Sequence, residues 1–400
     1  MSEEGEAGLS RRSLLRATGD TLLVAGAVGG ALGLYGRDGD EESVTANVGY
    51  TDRIERGALA SASTEVLRRY AFDAATVRLP EAAMSSLRRR PGVEYVEPEL
   101  TMHALGPGGC RSAYRGAGET DCLPWGIDRT DADLAHEQGY TGSGADVAVV
   151  DTGIDASHPD LPNLGEGKGI VDSGGDEPWD DDMGHGTHCA GIVGADGSIE
   201  GVVPDATLHA VKVLDSRGAG STSDIAAGIE WVADQEYDVC SLSLGSGRRS
   251  RVVAEACRYA HERGVLVVAA AGNSGPCSDC VGYPAAEEEV IAVSATSDDD
   301  TLARFSSTGP EVEVAAPGES VYSTTPDGHA KKSGTSMACP HVSGLGGLLA
   351  AEGQDAETAR ETVGESAENV GLDDTESGAG LLDVAAAVGL DSEDDGTGTC

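Results

Sequence analysis

Three short segments of this 400-residue chain each combine a chemically reactive side chain with glycine. They contain Asp151 in VVDTGID, His185 in GHGTHCAGI and Ser336 in SGTSMACPH. A serine hydroxyl is a poor nucleophile at neutral pH unless an adjacent base takes its proton. Histidine suits that task because its pKa lies near the working pH, and a buried carboxylate can orient the imidazole. The three residue types together predict nucleophilic catalysis by Ser336.

A fourth segment, AAAGNSG, ends an apolar run with Asn273, whose amide can donate a hydrogen bond to a developing oxyanion. Each motif alone is weak, since Asp-Thr-Gly also occurs in aspartic proteases and ordinary turns. His185 and His188 are also spaced like metal ligands, although no third ligand is evident. Ser336 opens a helix-like stretch, Val342–Ala351, so that helix N–H groups face developing negative charge. The order Asp, His, Asn, Ser favours catalysis over a non-catalytic interpretation.

From Pro124 onward, short apolar runs alternate with helical patterns, which predicts a doubly wound, mainly parallel α/β sheet. The predicted strands are Asp146–Val150, Leu208–Leu214, Val239–Leu244, Val265–Ala271, Val290–Ala295 and Val312–Ala316. The predicted helices include Ser223–Gln235, with Ser223 as its N-cap, and Ser250–Arg263. In such sheets ligands bind at the carboxyl ends of the strands.

The chain is strongly acidic, with 69 Asp and Glu against 27 Lys and Arg and a formal net charge of −42. An acidic patch for a cationic partner and an adaptation to high salt both fit this charge. The acids are spread along the chain, which favours high salt, where the Debye length falls to about 3 Å. A halophilic source is therefore predicted. Nucleic-acid binding is excluded because no basic patch is available to meet phosphates.

The segment around Arg11-Arg12 is followed by an apolar stretch, Thr21–Gly36. This pairing predicts a twin-arginine export signal and an extracellular protein, with a membrane anchor as the alternative. The stretch is short and rich in glycine for a spanning helix. We expect no stable membrane association.

The chain divides into five predicted parts. They are residues 1–43 (signal and linker), 44–103 (a small α+β domain), 104–123 (a linker with Cys110 and Cys122), 124–390 (the α/β domain) and 391–400 (a disordered acidic tail). Strands are predicted at 44–48, 75–79 and 93–98, with a helix after Pro80. The nine cysteines are an odd number, so one lacks an intramolecular partner. Cys110 with Cys122 and Cys277 with Cys280 are local candidates for disulfides, and the connectivity stays open.

The motifs VVDTGIDASHPDL, GHGTHCAGI, SLSLG, AAAGNSG and SGTSMACPHVSG resemble those of the subtilisin family of serine proteases over about residues 124–390. The likeness is strongest to halolysins, the extracellular haloarchaeal members. The resemblance implies Asp151 as the triad aspartate, His185 as the general base, Ser336 as the nucleophile and Asn273 as the oxyanion donor. The implied activity is endopeptidase cleavage of proteins and peptides through an acyl-enzyme.

The resemblance also assigns the segments that bind substrate. One pocket wall is Ser243, Leu244 and Gly245, the other is Ala270, Ala271 and Gly272, Gly282 is the pocket base, and the edge that pairs with extended substrate is Gly218, Ala219 and Gly220. Small residues there leave a roomy apolar pocket. We therefore expect a broad, apolar-leaning preference for the residue before the scissile bond.

Residues 44–103 resemble the inhibitory propeptide of that family, which implies a secreted precursor that processes itself. No cofactor is expected for the chemistry. Asp160 matches one ligand of a family calcium site, but Ala195–Val203 is shorter than the family's calcium loop, so structural calcium is left open and no metal ligands are named. Two alternatives remain. One is a specific processing protease for exported proteins, with Glu287–Glu289 near the pocket, and the other is an inactive binding protein on a protease scaffold.

Overall fold

The computed structural model describes residues 43–51, 65–105, 122–173, 175, 177–392 and 398–400. The predicted export signal around Arg11-Arg12 and the candidate disulfide partner Cys110 lie outside the described residues. Within them, no helix has the length and apolar character that crossing a bilayer requires.

The N-terminal domain, residues 43–100, is a four-stranded antiparallel sheet with one helix. Its elements are β1 (Ser43–Tyr50), β2 (Glu65–Arg69), β3 (Ala74–Pro80), α1 (Glu81–Leu87) and β4 (Val93–Pro98), in the strand order β2-β3-β1-β4. The predicted strands and helix of this domain are confirmed. Strand β2 escaped prediction because its residues alternate between exposed and half-buried without a buried apolar face.

A short strand, β5 (Thr101–Ala104), leaves this domain and enters a separate three-stranded antiparallel sheet. It lies between two later segments, β9 (Ala219–Ser221) and β11 (Leu244–Gly245). Residue 104 was predicted to lie in a linker, with the small domain ending at residue 103. The continuous strand shows that this boundary cuts through a single element.

The predicted doubly wound α/β architecture is confirmed in the larger part of the chain. Seven parallel strands form its central sheet in the order β14-β13-β12-β10-β6-β8-β7. They are β6 (Asp146–Asp151), β7 (Lys168–Gly169), β8 (Thr207–Lys212), β10 (Val239–Leu242), β12 (Leu266–Ala270), β13 (Val290–Thr296) and β14 (Val312–Pro317). An antiparallel hairpin, β15 (Val321–Thr325) with β16 (Gly328–Lys332), follows the last strand.

The remaining helices surround this sheet. They are α2 (Trp125–Arg129), α3 (Ala132–Glu137), α4 (Gly186–Gly194), α5 (Thr222–Asp234), α6 (Arg251–His261), α7 (Thr335–Ala351), α8 (Ala356–Ser366), α9 (Asp374–Ser377) and α10 (Val384–Ala387).

Strand β6 shows how the sequence creates two cores. Val147 and Val149 pack in the layer that contains α4 and α7, whereas Ala148 and Val150 pack in the layer that contains α5 and α6. Successive side chains of a strand point to opposite faces, so an unbroken apolar run must be covered on both sides. The sheet is thereby fixed between helices, and its carboxyl edge is left open for a site.

The start of helix α5 and the end of the C-terminal tail differ from the predictions. Helix α5 begins after Ser221, whose hydroxyl accepts from the N–H of Asp224, and not after Ser223, whose hydroxyl instead donates to Glu99. The tail 391–400 was predicted to be disordered, and residues 393–397 of it lie outside the described residues. At its end the prediction is wrong, because the N–H groups of Thr399 and Cys400 both donate to the carbonyl of Leu123.

Two disulfides connect described cysteines. Cys277 pairs with Cys280, as one of the local candidates predicted. Cys122 pairs with Cys400, 278 positions away, so its predicted pairing with Cys110 is wrong. The other described cysteines are buried thiols, namely Cys189, Cys240, Cys257 and Cys339.

Candidate active site

The first pair of candidate residues lies where β6 meets the start of α4. Asp151 is the last residue of β6 and is completely buried, and His185 directly precedes α4 and is 3 % exposed. The Nδ1 atom of His185 lies 2.8 Å and 2.9 Å from the two carboxylate oxygens of Asp151. The N–H of Thr152 also donates to Asp151, at 2.7 Å. This arrangement holds the proton on Nδ1 and leaves Nε2 available as a base.

The candidate nucleophile is the second residue of α7. The Oγ atom of Ser336 lies 2.5 Å from the carbonyl oxygen of Leu105 and 2.9 Å from that of Ser243. The hydroxyl of Ser243 in turn donates to the Ser336 carbonyl at 2.9 Å. Ser336 has no exposed surface while Leu105 covers it.

One link of the expected hydrogen-bonded chain from Ser336 through His185 to Asp151 is absent in this arrangement. The Nε2 atom of His185 is buried and has no hydrogen-bond partner among the described residues. The reason is competition, because the Ser336 hydroxyl is directed at the carbonyls of Leu105 and Ser243. Contacts of this kind often tighten only when a substrate reaches its reactive geometry, and a rotation of the serine side chain would redirect its hydroxyl.

Asn273 also contacts the carbonyl oxygen of Leu105. Its Oδ1 atom accepts from the N–H of Thr335 at 2.9 Å and from the Thr335 hydroxyl at 3.0 Å. The opposite end of the amide, Nδ2, is thereby aimed at the carbonyl oxygen of Leu105, 2.8 Å away. An amide fixed in this direction can stabilise negative charge that develops on that oxygen.

The segment that ends in Leu105 lies in the predicted substrate cleft as an extended chain. In β5, Met102 pairs with Gly220 and Ala104 pairs with Leu244. Two further backbone bonds hold its end, from Ala104 N–H to the Gly218 carbonyl at 2.9 Å and from Leu105 N–H to the Ser243 carbonyl at 3.2 Å. The predicted substrate-binding edge, 218–220, therefore pairs with this strand, and so does the segment 243–245, which was predicted as a pocket wall.

Of the predicted pocket segments, 243–245 lies beside Leu105. A Cβ added to Gly245 would lie 3.1 Å from Cδ1 of Leu105, so a larger residue there would collide with it. The predicted opposite wall is buried at Ala270, Ala271 and Gly272. Gly282 donates its N–H to the Ala271 carbonyl at 2.8 Å, which places the predicted pocket base against that wall.

A family model described as the subtilase family matches residues 142–380, more than half of the chain. The chain belongs to the subtilase family. Subtilisin amylosacchariticus of Bacillus subtilis subsp. amylosacchariticus is 42 % identical over 283 residues, which cover 69 % of this chain and 70 % of that protein. An alkaline protease of Alkalihalobacillus alcalophilus is 41 % identical over 278 residues, 68 % of each chain. Subtilisin DY of Bacillus licheniformis is 42 % identical over 273 residues, 66 % of this chain and 98 % of that protein.

This subtilase is a subtilisin-type serine endopeptidase. The resemblance drawn from its motifs is confirmed at the level of the family, while the closer likeness to halolysins stays a prediction.

Metal binding by the two histidines of the GHGTH motif does not fit the geometry. The Nε2 atom of His188 bonds to the carbonyl of Ala330 at 3.0 Å, and burial holds the pKa of His188 well below its ordinary value. Among the described residues, the only group of three donors close enough to share an ion is Asp151, His185 and Cys189. Burial raises the pKa of the Cys189 thiol well above its ordinary value, so a neutral thiol packs beside the imidazole.

Calcium does not fit at Asp160. Its Oδ2 atom accepts from the Ser198 hydroxyl at 2.6 Å and lies 2.7 Å from Nε2 of His329. Calcium requires six to eight oxygen ligands, whereas the Asp160 carboxylate is already bonded to the His329 imidazole and to the Ser198 hydroxyl. Burial tends to raise the pKa of Asp160, but the bonds from Ser198 and His329 outweigh it and hold that pKa below its ordinary value.

Two functional residues of this subtilase were missed from the sequence. Leu105 was predicted to lie in a linker, because residues 101–105 (TMHAL) are too few to show the alternation of apolar and polar residues that marks a strand. Thr335 orients the Asn273 amide, and the one feature of the sequence that could have indicated this role is its position directly before Ser336.

Proposed function

We propose that the chain is a secreted precursor that cuts itself after Leu105, and that the mature enzyme cleaves proteins and peptides in concentrated salt. The observation that carries this proposal is the Leu105 carbonyl, which lies 2.5 Å from the Ser336 hydroxyl and 2.8 Å from the Asn273 amide. A carbonyl between a nucleophile and an oxyanion donor is the arrangement of a bond about to be cut.

The proposed reaction uses groups of the chain alone. Ser336 attacks the carbonyl carbon while His185 takes its proton, and Asp151 orients and stabilises the resulting imidazolium. Asn273 and the backbone N–H of Ser336 stabilise the oxyanion of the tetrahedral intermediate. His185 then gives the proton to the leaving amine, and water hydrolyses the acyl-enzyme by the same route. For the precursor, the amine released would be that of Gly106.

The N-terminal domain is proposed to act as an inhibitor because its contacts resemble those of a docked ligand. Glu97 accepts from the Ser250 hydroxyl at 2.9 Å and from the N–H groups of Arg251 and Val252 at 3.0 Å and 3.1 Å. Helix α6 has no side-chain cap of its own, so this carboxylate satisfies its free N–H groups.

A second group of contacts lies on α6 itself and on the neighbouring helix α5. The Tyr95 hydroxyl donates to Glu255 at 2.7 Å, and the Asn47 amide donates to the Thr222 hydroxyl at 3.2 Å. These polar pairs can dissociate into water after cleavage. Tyr70, Phe72 and Ala74 of the N-terminal domain also pack in the apolar layer that contains α5 and α6, so release of the domain also exposes apolar surface.

The pocket around Leu105 supports an apolar preference over the processing-protease alternative. That alternative requires free acids to bind basic residues. Glu287 is 7 % exposed and is paired with the Arg249 guanidinium at 2.6 Å, so its charge is already compensated. A profile on peptide libraries tests this, and a dominant preference for Arg or Lys would favour the alternative.

Secretion and salt adaptation rest on the sequence. Residues 122–400 carry 51 acidic and 13 basic side chains, a charge that salt must screen. The predicted twin-arginine signal fits an exported enzyme of the halolysin type.

Replacement of the nucleophile tests the proposed function. Ser336→Ala should leave an uncut precursor, because loss of this serine costs about 10⁶ in kcat in subtilisin. Mass spectrometry of the wild-type secreted protein should show Gly106 as the N-terminus made by the first cut. Normal processing of the Ser336→Ala chain would overturn self-cleavage. A failure of the wild-type enzyme to react with a fluorophosphonate probe would instead favour an inactive binding protein.

A further inference from the structure

Asp181 is a half-buried carboxylate outside the proposed triad that collects an unusual number of hydrogen bonds. Its Oδ1 atom accepts from the Thr152 hydroxyl at 2.9 Å and from the N–H groups of Met183 and Gly184 at 2.9 Å and 2.8 Å. Thr152 directly follows Asp151 in the chain. One oxygen of Asp181 therefore links the end of β6 to the turn that leads into α4.

The other oxygen holds the first turn of α4. Oδ2 of Asp181 accepts from the N–H of Thr187 at 2.9 Å and from its hydroxyl at 2.6 Å. The Thr152 hydroxyl that donates to Asp181 also accepts from the N–H of Gly186 at 2.9 Å. Since Gly186 directly follows His185, the imidazole is carried by a backbone that is fixed on both sides.

We propose that Asp181 is a positioning residue that sets the distance between Asp151 and His185, with the Thr152 hydroxyl as the connecting group. This inference rests on the proposed roles of Asp151 and His185. Asp181 has no described hydrogen bond to the substrate-like strand β5, so it acts through the residues beside the triad. Its five bonds fill both oxygens, and each donor would lose its partner if the carboxylate were removed.

The expected consequence is a loss in the chemical step and not in substrate binding. A displacement of about 1 Å in a catalytic group can cost about 100-fold in rate. The predicted pocket segments, 243–245, 270–272 and 282, would keep their places, because none of them has a described hydrogen bond to Asp181 or to Thr152. The signature of a positioning residue is therefore a fall in kcat with little change in KM.

Thr152 offers the matched pair of variants that tests this. Thr152→Val keeps the shape and removes the hydroxyl, and it should lower kcat about tenfold or more with KM within about twofold. Thr152→Ser keeps the hydroxyl and should stay within about twofold of the wild-type kcat. The measurements use the processed enzyme, a peptide with Leu before the scissile bond, and active sites counted with a fluorophosphonate. If Thr152→Val does not mature, the rate of self-cleavage in the intact precursor replaces kcat.

Asp181→Asn should lower kcat by about as much as Thr152→Val. The double variant should lose no more than the worse single variant, since both changes break one network. Asp160→Asn, which removes another carboxylate that accepts side-chain bonds, is the control and should lower thermal stability without lowering kcat. Additive losses, an unchanged kcat, or a loss confined to KM would each overturn the inference. A Ser336→Ala chain that retains peptidase activity would instead overturn the proposed function.

Discussion

The N-terminal domain and the larger region differ in charge as much as in fold. The N-terminal domain together with the segment that contains β5, residues 43–105, carries eight acidic and eight basic side chains and no cysteine, whereas residues 122–400 carry 51 acidic and 13 basic side chains and eight cysteines. The first region is an antiparallel sheet with a small apolar core, and the second is a parallel sheet between two helical layers. We infer that the first region serves as an inhibitor that is removed after cleavage, and that the second is a domain that stays folded in concentrated salt.

The largest expected effect is that of salt on the acidic region. Dilution from about 1 M to 0.1 M salt lengthens the Debye length from about 3 Å to 10 Å, so that like charges repel across the whole domain. The processed enzyme should lose its activity and its fold cooperatively, as followed by circular dichroism. In the uncut Ser336→Ala precursor, which keeps both regions, Glu352→Gln with Glu361→Gln should lower the salt requirement for folding, whereas Glu81→Gln in the N-terminal domain should not. Full stability in dilute buffer would refute the salt adaptation.

The disulfide between Cys122 and Cys400 should have the next largest effect. Because it closes a loop of nearly the whole larger region, its removal should lower the free energy of unfolding by about 5 kcal/mol. The short Cys277–Cys280 loop should contribute only about 2 kcal/mol. Thermal unfolding of Cys122→Ser/Cys400→Ser and Cys277→Ser/Cys280→Ser chains, both in the Ser336→Ala background to prevent self-digestion, measures the difference. Equal losses would contradict it.

Leu105 connects the two regions and should control how fast they separate. Leu105→Asp should slow self-cleavage by about 100-fold, because an ionised carboxylate enters an apolar pocket without a partner. Leu105→Met should be cut at nearly the wild-type rate. A time course of the precursor on a gel gives both rates. An unchanged rate and N-terminus in the Leu105→Asp chain would place the scissile bond elsewhere.

Glu97 should affect the strength of docking more than the rate of cutting. Glu97→Gln loses the charge at the start of α6 and should weaken the cleaved complex about tenfold, equal to about 1.4 kcal/mol. The concentration at which activity appears on dilution of the cleaved complex measures this. Glu94→Gln, an exposed residue of the same strand, is the control. Equal behaviour of the two variants would show that the cap does not contribute to docking.

The smallest expected effect concerns acid. The folded pKa of Asp160 is below its ordinary value, so its bonds stabilise the fold above that ordinary value and the stabilisation is lost as pH falls through the folded pKa. Asp160→Asn should therefore lower stability at neutral pH by about 1 kcal/mol and by less in acid. Unfolding midpoints between neutral pH and about pH 3 test this. A deficit that grows in acid would contradict it.

Elements and site residues could be predicted from the sequence where the pattern that marks them lies within a few neighbouring residues. The strand before Asp151 and the glycine-rich segments around His185 and Ser336 were found because an unbroken apolar run followed by a reactive residue is a local pattern. The position of Leu105 was not found, because β5 is defined by partners more than 100 residues away. The contact of Asp160 with His329 likewise joins residues 169 positions apart, which no periodicity encodes.

The bond from Cys122 to the last residue of the chain has a consequence for the enzyme's survival among proteases, its own kind included. It closes residues 122–400 into a covalent ring, and the N–H groups of Thr399 and Cys400 also bond to the carbonyl of Leu123. A single cut in a surface loop would open this ring and leave both pieces joined through sulfur. Because the two pieces stay connected, a molecule cut in this way could refold and regain its activity.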